Sequence, residues 1–273
     1  MTMLARLRAA RDRSALLRTA HPYLRGAWYR ALDVLRPGGM NVDLPGGCRV
    51  RLAPRLLGLR PDLYEPELAR FLDEAVRPGM TVLDIGAHVG LHTLRLSRRV
   101  GAHGRVIALE PSPAAAGLLR RHLDWNGGAN VTVVQAAVDA AAGEVDFVYR
   151  PDPFDPGGFA NSLAYDISGR TARVRTLAID DLCEGLAPDL IKIDVEGYEA
   201  RAIAGAARTL AAHAPVLAIA FHPGPMRAVG DAPADLAHRL IAAGYRARRL
   251  DGAPLAGEPG FEEIVFEKRG AAS

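Results

Sequence analysis

Only two cysteines, Cys48 and Cys183, occur in the 273 residues. They lie too far apart for a metal knuckle or a redox pair, which excludes a disulfide framework and points to a reducing compartment. Lysine is as scarce: of 34 basic residues only Lys192 and Lys268 are lysines, so the net charge of +3 reflects an arginine-biased composition and weighs little for nucleic acid. Aromatic residues make up 6% of the chain and are not interleaved with basic ones in the way that stacks bases. No apolar run approaches the roughly 18 residues of a membrane span. Arginines interrupt the N-terminal stretch MTMLARLRAARDRSALLR, where a signal peptide needs a continuous apolar core. These absences predict a soluble, cytoplasmic protein that acts on a small molecule, with no transmembrane segment and with nucleic acid disfavoured as a partner.

What is present is a chain with 49% hydrophobic residues, enough for a substantial core. Residues 1 to about 36 read as arginine-rich amphipathic helices, broken near His21-Pro22 and ended by Pro37-Gly38-Gly39, and residues 41–52 (NVDLPGGCRVRL) read as a β-hairpin. We take 1–60 as an N-terminal extension and 61–273 as the main domain. Within that domain a helix begins at Glu65-Pro66. Strands near 81–85, 105–109 and 131–135 then alternate with helices 90–100 and 113–125. Further strands are expected at 143–149, 171–175, 189–194 and 215–221, helices at 199–212 and 235–243, and a closing antiparallel pair at 245–250 and 261–267. Such alternation is the signature of an α/β fold, a parallel sheet with helices on both faces.

The stretch TVLDIGAHVG (81–90) ends its strand in a glycine-bearing turn, the place where ligands bind beyond the carboxyl ends of such a sheet. A dinucleotide fingerprint needs a middle glycine against pyrophosphate, and His88 stands there. Glu110 ends the next strand about 20 residues beyond Gly90, the offset at which a carboxylate accepts hydrogen bonds from ribose hydroxyls. A nucleoside without a pyrophosphate satisfies both facts, and S-adenosylmethionine is the expected cofactor.

The segments YEPE (64–67), VLDIGAHVG (82–90), ALEP (108–111), NVTVVQAAV (130–138), NSL (161–163) and above all IKIDVEGYE (191–199) resemble the FkbM-type family of S-adenosylmethionine-dependent methyltransferases. The resemblance runs from about Asn41 to the end of the chain. It implies a class I methyltransferase (Rossmann-like) fold with a seven-stranded, mostly parallel sheet. It implies methyl transfer, usually to oxygen, on small molecules, saccharides or natural-product scaffolds. By motif position Asp84, Gly86, Ala87 and Gly90 line the methionine end, Glu110 holds the ribose, and Gln135, Ala136 and Ala137 border the adenine. His88 contributes backbone contact. The sequence departs from the family at Ala220, where relatives often carry glutamate, so no carboxylate is available at that position for catalysis or metal binding.

Chemistry independent of the family points the same way. Methyl transfer needs an acceptor held in line and, for a hydroxyl, a base. Asp194 and Glu196 follow a strand on the sheet edge where the cofactor is expected, and His222 ends the neighbouring strand, so these three are the catalytic candidates, Asp194 doubling as a cofactor contact. Helix capping at Glu196-Gly197 and a loop role for His222 are the competing structural readings. Asp194 and His222 alone make only two metal ligands, and no metal is expected. Residues 150–170, rich in glycine, proline and aspartate, read as a substrate-binding loop. There Phe154, Phe159 and Tyr165 give an apolar surface while Asn161 and Ser162 bond a polar acceptor. A nucleic-acid methyltransferase of the same fold, and a nicotinamide-dependent oxidoreductase or non-catalytic nucleotide-binding module, are the alternatives.

Overall fold

A computed structural model describes residues 31–152 and 169–268, together with Trp28 and Phe154. The helices expected up to residue 27 and the loop residues Phe159, Asn161, Ser162 and Tyr165 lie outside the described residues. Short β-branched and leucine-rich runs build the main sheet: β3 (Thr81–Ile85), β4 (Arg105–Leu109), β5 (Val131–Val134), β9 (Leu190–Ile193), β10 (Val216–Phe221), β11 (Tyr245–Arg249) and β12 (Glu262–Lys268). Their spatial order is β11-β12-β10-β9-β3-β4-β5. All neighbours are parallel except β12, which runs antiparallel to both β10 and β11. This is the seven-stranded class I methyltransferase sheet expected from the sequence.

Strand alternation divides the core. Leu83, Ile85, Ile191, Ile193, Leu217 and Ile219 face one layer, containing α5 (Glu199–Ala204), α6 (Ala207–His213) and α8 (Pro233–Ala242). Val82, Val106, Leu190 and Ala218 face the other, against α1 (Pro66–Ala75) and α2 (Leu91–Val100). The hairpin of β1 (Met40–Leu44) and β2 (Cys48–Leu52) adds Val42, Leu44, Val50 and Leu52 to a third cluster shared with α2 and α3 (Pro113–Asn126). A separate small sheet, β6-β8-β7, joins β6 (Ala137–Val138), β7 (Gly143–Tyr149) and β8 (Arg170–Leu177). Two short helices are α4 (Ile179–Leu182) and α7 (Pro223–Ala228).

One expectation is corrected. The single helix expected over 199–212 is two, α5 and α6, broken at Gly205-Ala206. Asp180 causes the break: its carboxylate accepts the amides of Arg208 (3.0 Å) and Thr209 (2.8 Å), while its own N–H donates to the Gly205 carbonyl (2.8 Å). The second helix thus starts on a cap supplied from a distant segment, a device that local periodicity does not reveal.

Candidate active site

The carboxyl ends of β3, β4, β9 and β10 surround a cavity of ≈ 260 Å³. On that measure a single water needs only about 10–15 Å³, so this is a ligand-sized hollow. Its wall is built from the turn after β3, Glu110 after β4, Ala136 and Ala137, Asp194 and Glu196 after β9, and His222 after β10. Glu263 of β12 and the Tyr64-Glu65 pair before α1 complete it.

The turn folds as it does for two steric reasons. Gly86 has φ 80° and passes so close to the Asp194 carbonyl oxygen that any Cβ would overlap it; Gly90, at φ 89°, would drive a Cβ into Leu119. Both glycines therefore serve the approach of β3 to β9 and of α2 to α3, besides leaving the cavity open. Non-glycine residues in the left-handed region are Arg60, Glu65, His88, Glu196 and Ala214 among the described residues. Glu65, His88 and Glu196 line the cavity, so backbone strain is concentrated where the surroundings hold it in place.

Gly86, Ala87, His88, Gly90, Glu110, Ala136, Ala137, Asp194, Glu196 and His222 thus meet at one hollow. Asp84 and Gln135 do not. Asp84 is fully enclosed behind the turn, where it accepts the Thr93 hydroxyl at 2.6 Å and pairs with Lys192 at 3.3 Å. The cross-strand register Asp84↔Lys192 puts the two on one face of the sheet. Gln135 accepts Arg120 at 3.4 Å, away from the cavity. Asp84, expected at the methionine end, instead holds Lys192 behind the turn, and of the three residues expected to border the adenine Ala136 and Ala137 line the cavity while Gln135 does not.

Glu110 is buried, with one oxygen accepting the His88 amide and the other the Ser112 amide, each at 2.8 Å. Burial pushes its pKa up to about 7, against the opposing pull of those two amides and of Lys192. Each oxygen keeps a second lone pair. Lys192 donates to the Gly86 carbonyl at 3.0 Å and pairs with Asp194 at 3.5 Å. Burial works against its charge, but Asp84, Asp194 and Glu65 outweigh it and hold the ammonium above its ordinary value. Beyond it, His92 meets Glu65 at 2.7 Å, so His92 is a hydrogen-bond partner of a wall carboxylate as well as a packing residue.

His222 donates from Nδ1 to Glu199 Oε1 at 2.7 Å, and that oxygen also accepts the Gly197 amide at 3.0 Å. Its Nε2 faces Asp194 at 3.7 Å and Glu196 at 3.6 Å. Burial opposes the charge, yet the Glu199 bond and the carboxylates of Glu196 and Asp194 raise the imidazole to about 9. The structure places His222 at the cavity wall beside the other two catalytic candidates, Asp194 and Glu196. Asp194, Glu196 and His222 each present an atom of ligand type, all within 4.8 Å of one another, so Glu196 joins the two such residues that the sequence reading considered.

Four wall or support residues were not singled out from sequence as site residues. Lys192 could have been read from its strand spacing of two before Asp194, and Glu199 from its place at the end of KIDVEGYE. Glu65 shows in sequence within the YEPE segment that carries the family resemblance, but with nothing to tie it to the cavity. Glu263 needed the sheet register: it lies directly across from Ala220, so a carboxylate on β12 occupies the wall beside the alanine. Burial raises its pKa, as do Glu65 and Asp194.

Residues 84–247 match the family model described as the methyltransferase FkbM domain. No curated protein matches the chain. Among solved structures the fold is similar to methyltransferase FkbM from Methylobacillus flagellatus, at 20% identity and TM-score 0.47, covering 79% of this chain and 53% of that one. The chain therefore spans about half the length of that relative. It is also similar to a TehB-like SAM-dependent methyltransferase from Corynebacterium glutamicum (18% identity, TM-score 0.43, 78% and 92% covered). A third is a putative rRNA methylase from Clostridium thermocellum (12%, TM-score 0.47, 74% and 93%).

Proposed function

The chain belongs to the FkbM methyltransferase family, and from that premise we propose that it methylates a hydroxyl oxygen on a small molecule, saccharide or natural-product scaffold. S-adenosylmethionine is the expected cofactor of a methyltransferase with this fold. The observation that carries the reading is a single cavity walled at one end by the enclosed carboxylate of Glu110 and at another by Asp194, Glu196 and His222.

The residues suit the cofactor. Glu110 has two unused lone pairs for the ribose hydroxyls, Ala136 and Ala137 leave an apolar surface for a flat base, and Glu65, Asp194 and Glu263 surround the remainder with negative charge that complements a sulfonium. When bound, the cofactor supplies a methyl carbon open to in-line displacement, its C–S electron pair leaving on sulfur. The chain's own task is positioning, which supplies several kcal/mol, and removal of one proton. Asp194, beside the cavity at the end of β9, takes the hydroxyl proton as the acceptor oxygen forms its bond to carbon. Lys192 holds that carboxylate in place, and Glu196 and His222 flank the acceptor.

The test is transfer of labelled methyl from S-adenosylmethionine to panels of hydroxylated small molecules, saccharides and RNA, with S-adenosylhomocysteine binding measured in parallel by calorimetry. Label on an acceptor oxygen, lost at least roughly 100-fold in Asp194→Asn with product affinity retained, is the expected result. Label confined to RNA overturns the acceptor class, and failure to bind the product overturns the reaction itself.

A further inference from the structure

Asp194 and Glu196 leave β9 on either side of Val195, and the left-handed backbone at Glu196 (φ 52°) bends the chain there. His222 comes from the end of the adjacent strand, β10. The three are brought together by the parallel register of β9 with β10 and the turns that follow each strand. We propose that Asp194, Glu196 and His222 form a binding site for one divalent first-row cation, inside the cavity and open to the acceptor.

Distances decide between a cation site and a simple hydrogen-bonded cluster. The His222 Nε2 lies 3.7 Å from Asp194 and 3.6 Å from Glu196, beyond hydrogen-bond range. Ligand atoms about 2.0–2.2 Å from a common ion at angles between octahedral and tetrahedral stand roughly 3.0–3.6 Å apart. The Glu196 spacing is at the long edge of that window and the Asp194 spacing just beyond it, and all three atoms fall within 4.8 Å of one another. Small side-chain rotations close the difference on a cation.

The surroundings supply what a metal histidine requires. A ligating imidazole donates its other nitrogen to a carboxylate or carbonyl, which fixes the ring and its tautomer. His222 Nδ1 donates to Glu199, a carboxylate with no exposed surface, itself fixed by the Gly197 amide. The His222 ring also packs against Phe261 in a T-shaped pair, with centroids 5.1 Å apart. Nε2 is thereby held toward the two carboxylates.

One imidazole and two carboxylates favour Mn²⁺, Fe²⁺ or Zn²⁺ over Ca²⁺, which takes six to eight oxygens. Three protein ligands leave one coordination position open on a four-coordinate ion, as at catalytic metal sites, and two or more on a five- or six-coordinate one. On the methyl-transfer reading, and resting on it, an open position takes the acceptor oxygen, so that the hydroxyl proton leaves more readily for the base. Acceptors able to chelate, with a second oxygen on the neighbouring carbon, are then preferred.

The full chain, stripped with a chelator and freed of it, is titrated with Mn²⁺ by paramagnetic resonance and with Zn²⁺ by calorimetry, without cofactor or acceptor. Saturable binding of either ion at one site per chain is expected. It should weaken at least roughly tenfold in Glu196→Gln and by roughly 10- to 100-fold in Glu199→Gln, which removes no ligand but frees the ring. Thermal melting confirms that both variants fold. S-adenosylhomocysteine, titrated separately, binds parent and Glu196→Gln alike and does not displace the ion. Absence of saturable binding by both ions overturns the site, as does unchanged ion affinity in Glu196→Gln. Displacement by S-adenosylhomocysteine also overturns it, because the carboxylates would then be a clamp for the cofactor's own positive charge. Ion binding without product binding leaves the site standing and removes the methyl-transfer reading instead.

Discussion

On the methyl-transfer reading, one enclosed carboxylate, Glu110, couples cofactor recognition to pH. It ties the amides of His88 and Ser112 together, and on that reading the turn is shaped in advance for the ribose. Glu110→Ala is expected to weaken S-adenosylhomocysteine by roughly 1.5–3 kcal/mol, the range for hydrogen bonds to a charged group, read by calorimetry. Because burial lifts its pKa to about 7, the carboxylate is ionised above that value and neutral below it. Ribose hydroxyls donate to the ionised form, so affinity is greatest above pH 7 and falls by up to roughly tenfold per pH unit below it. Adenosine is the suitable probe, since it carries the hydroxyls without a titrating amine. Lys192, Asp84 and the His88 backbone face the same group and stay in place in Glu110→Gln, which should bind adenosine with no pH dependence in this window. A Glu110→Gln variant that keeps the parent's pH profile would falsify the assignment. The twenty-residue offset made this residue visible in sequence. Its double amide contact was not visible, because that depends on the path of the turn.

Element by element, α3 is the brace between the hairpin and the cofactor turn. His122 on α3 donates from Nδ1 to the Val89 carbonyl at 2.8 Å and accepts the Ala53 amide on Nε2 at 3.1 Å, so a neutral ring spans both segments. Asn126, one turn on, accepts the Arg51 amide at 2.8 Å and donates to its carbonyl at 2.8 Å. Burial, with Arg121 adding to it, lowers the His122 pKa to about 4, while the Val89 bond opposes the shift. The unfolded chain binds this proton near pH 6.5 and the folded chain only near 4, so His122 costs nothing above 6.5 and removes stability as pH falls through that window. The full loss is about 3 kcal/mol. Glu110 changes stability in the opposite direction over part of the same range, so the quantity to measure is the difference between parent and His122→Phe in urea unfolding at each pH. That difference should shrink toward acid in favour of the variant; a constant difference from pH 7 to 4 would show that His122 does not carry this linkage. The strands of the main sheet and the helices that alternate with them were legible from periodicity, whereas the short elements β6, α4 and α7 were not. The division of 199–212 into α5 and α6 was not, because its cause, Asp180, sits in another segment.

At the scale of the whole molecule, the sequence pattern divides the chain near residue 60, whereas burial joins the two sides of that line. Val42, Leu44, Val50, Leu52 and Leu56 share a cluster with Ala87 and Val89 of the cofactor turn and with Leu94, Leu118 and Leu119 of α2 and α3. The family match begins only at residue 84, and composition alone gave no means of seeing that the hairpin closes the back of the site. Leu52 has no exposed surface, so Leu52→Ala should cost about 2–5 kcal/mol. How that cost is distributed is the informative part. If the hairpin is one cooperative unit with the sheet, calorimetry of Leu52→Ala gives a single transition moved bodily to lower temperature. S-adenosylhomocysteine then raises that transition as it does in the parent, because ligand binding stabilises whatever unfolds with the site. If the hairpin is a separate extension, Leu52→Ala instead leaves the ligand-sensitive transition where it was and moves only a minor one.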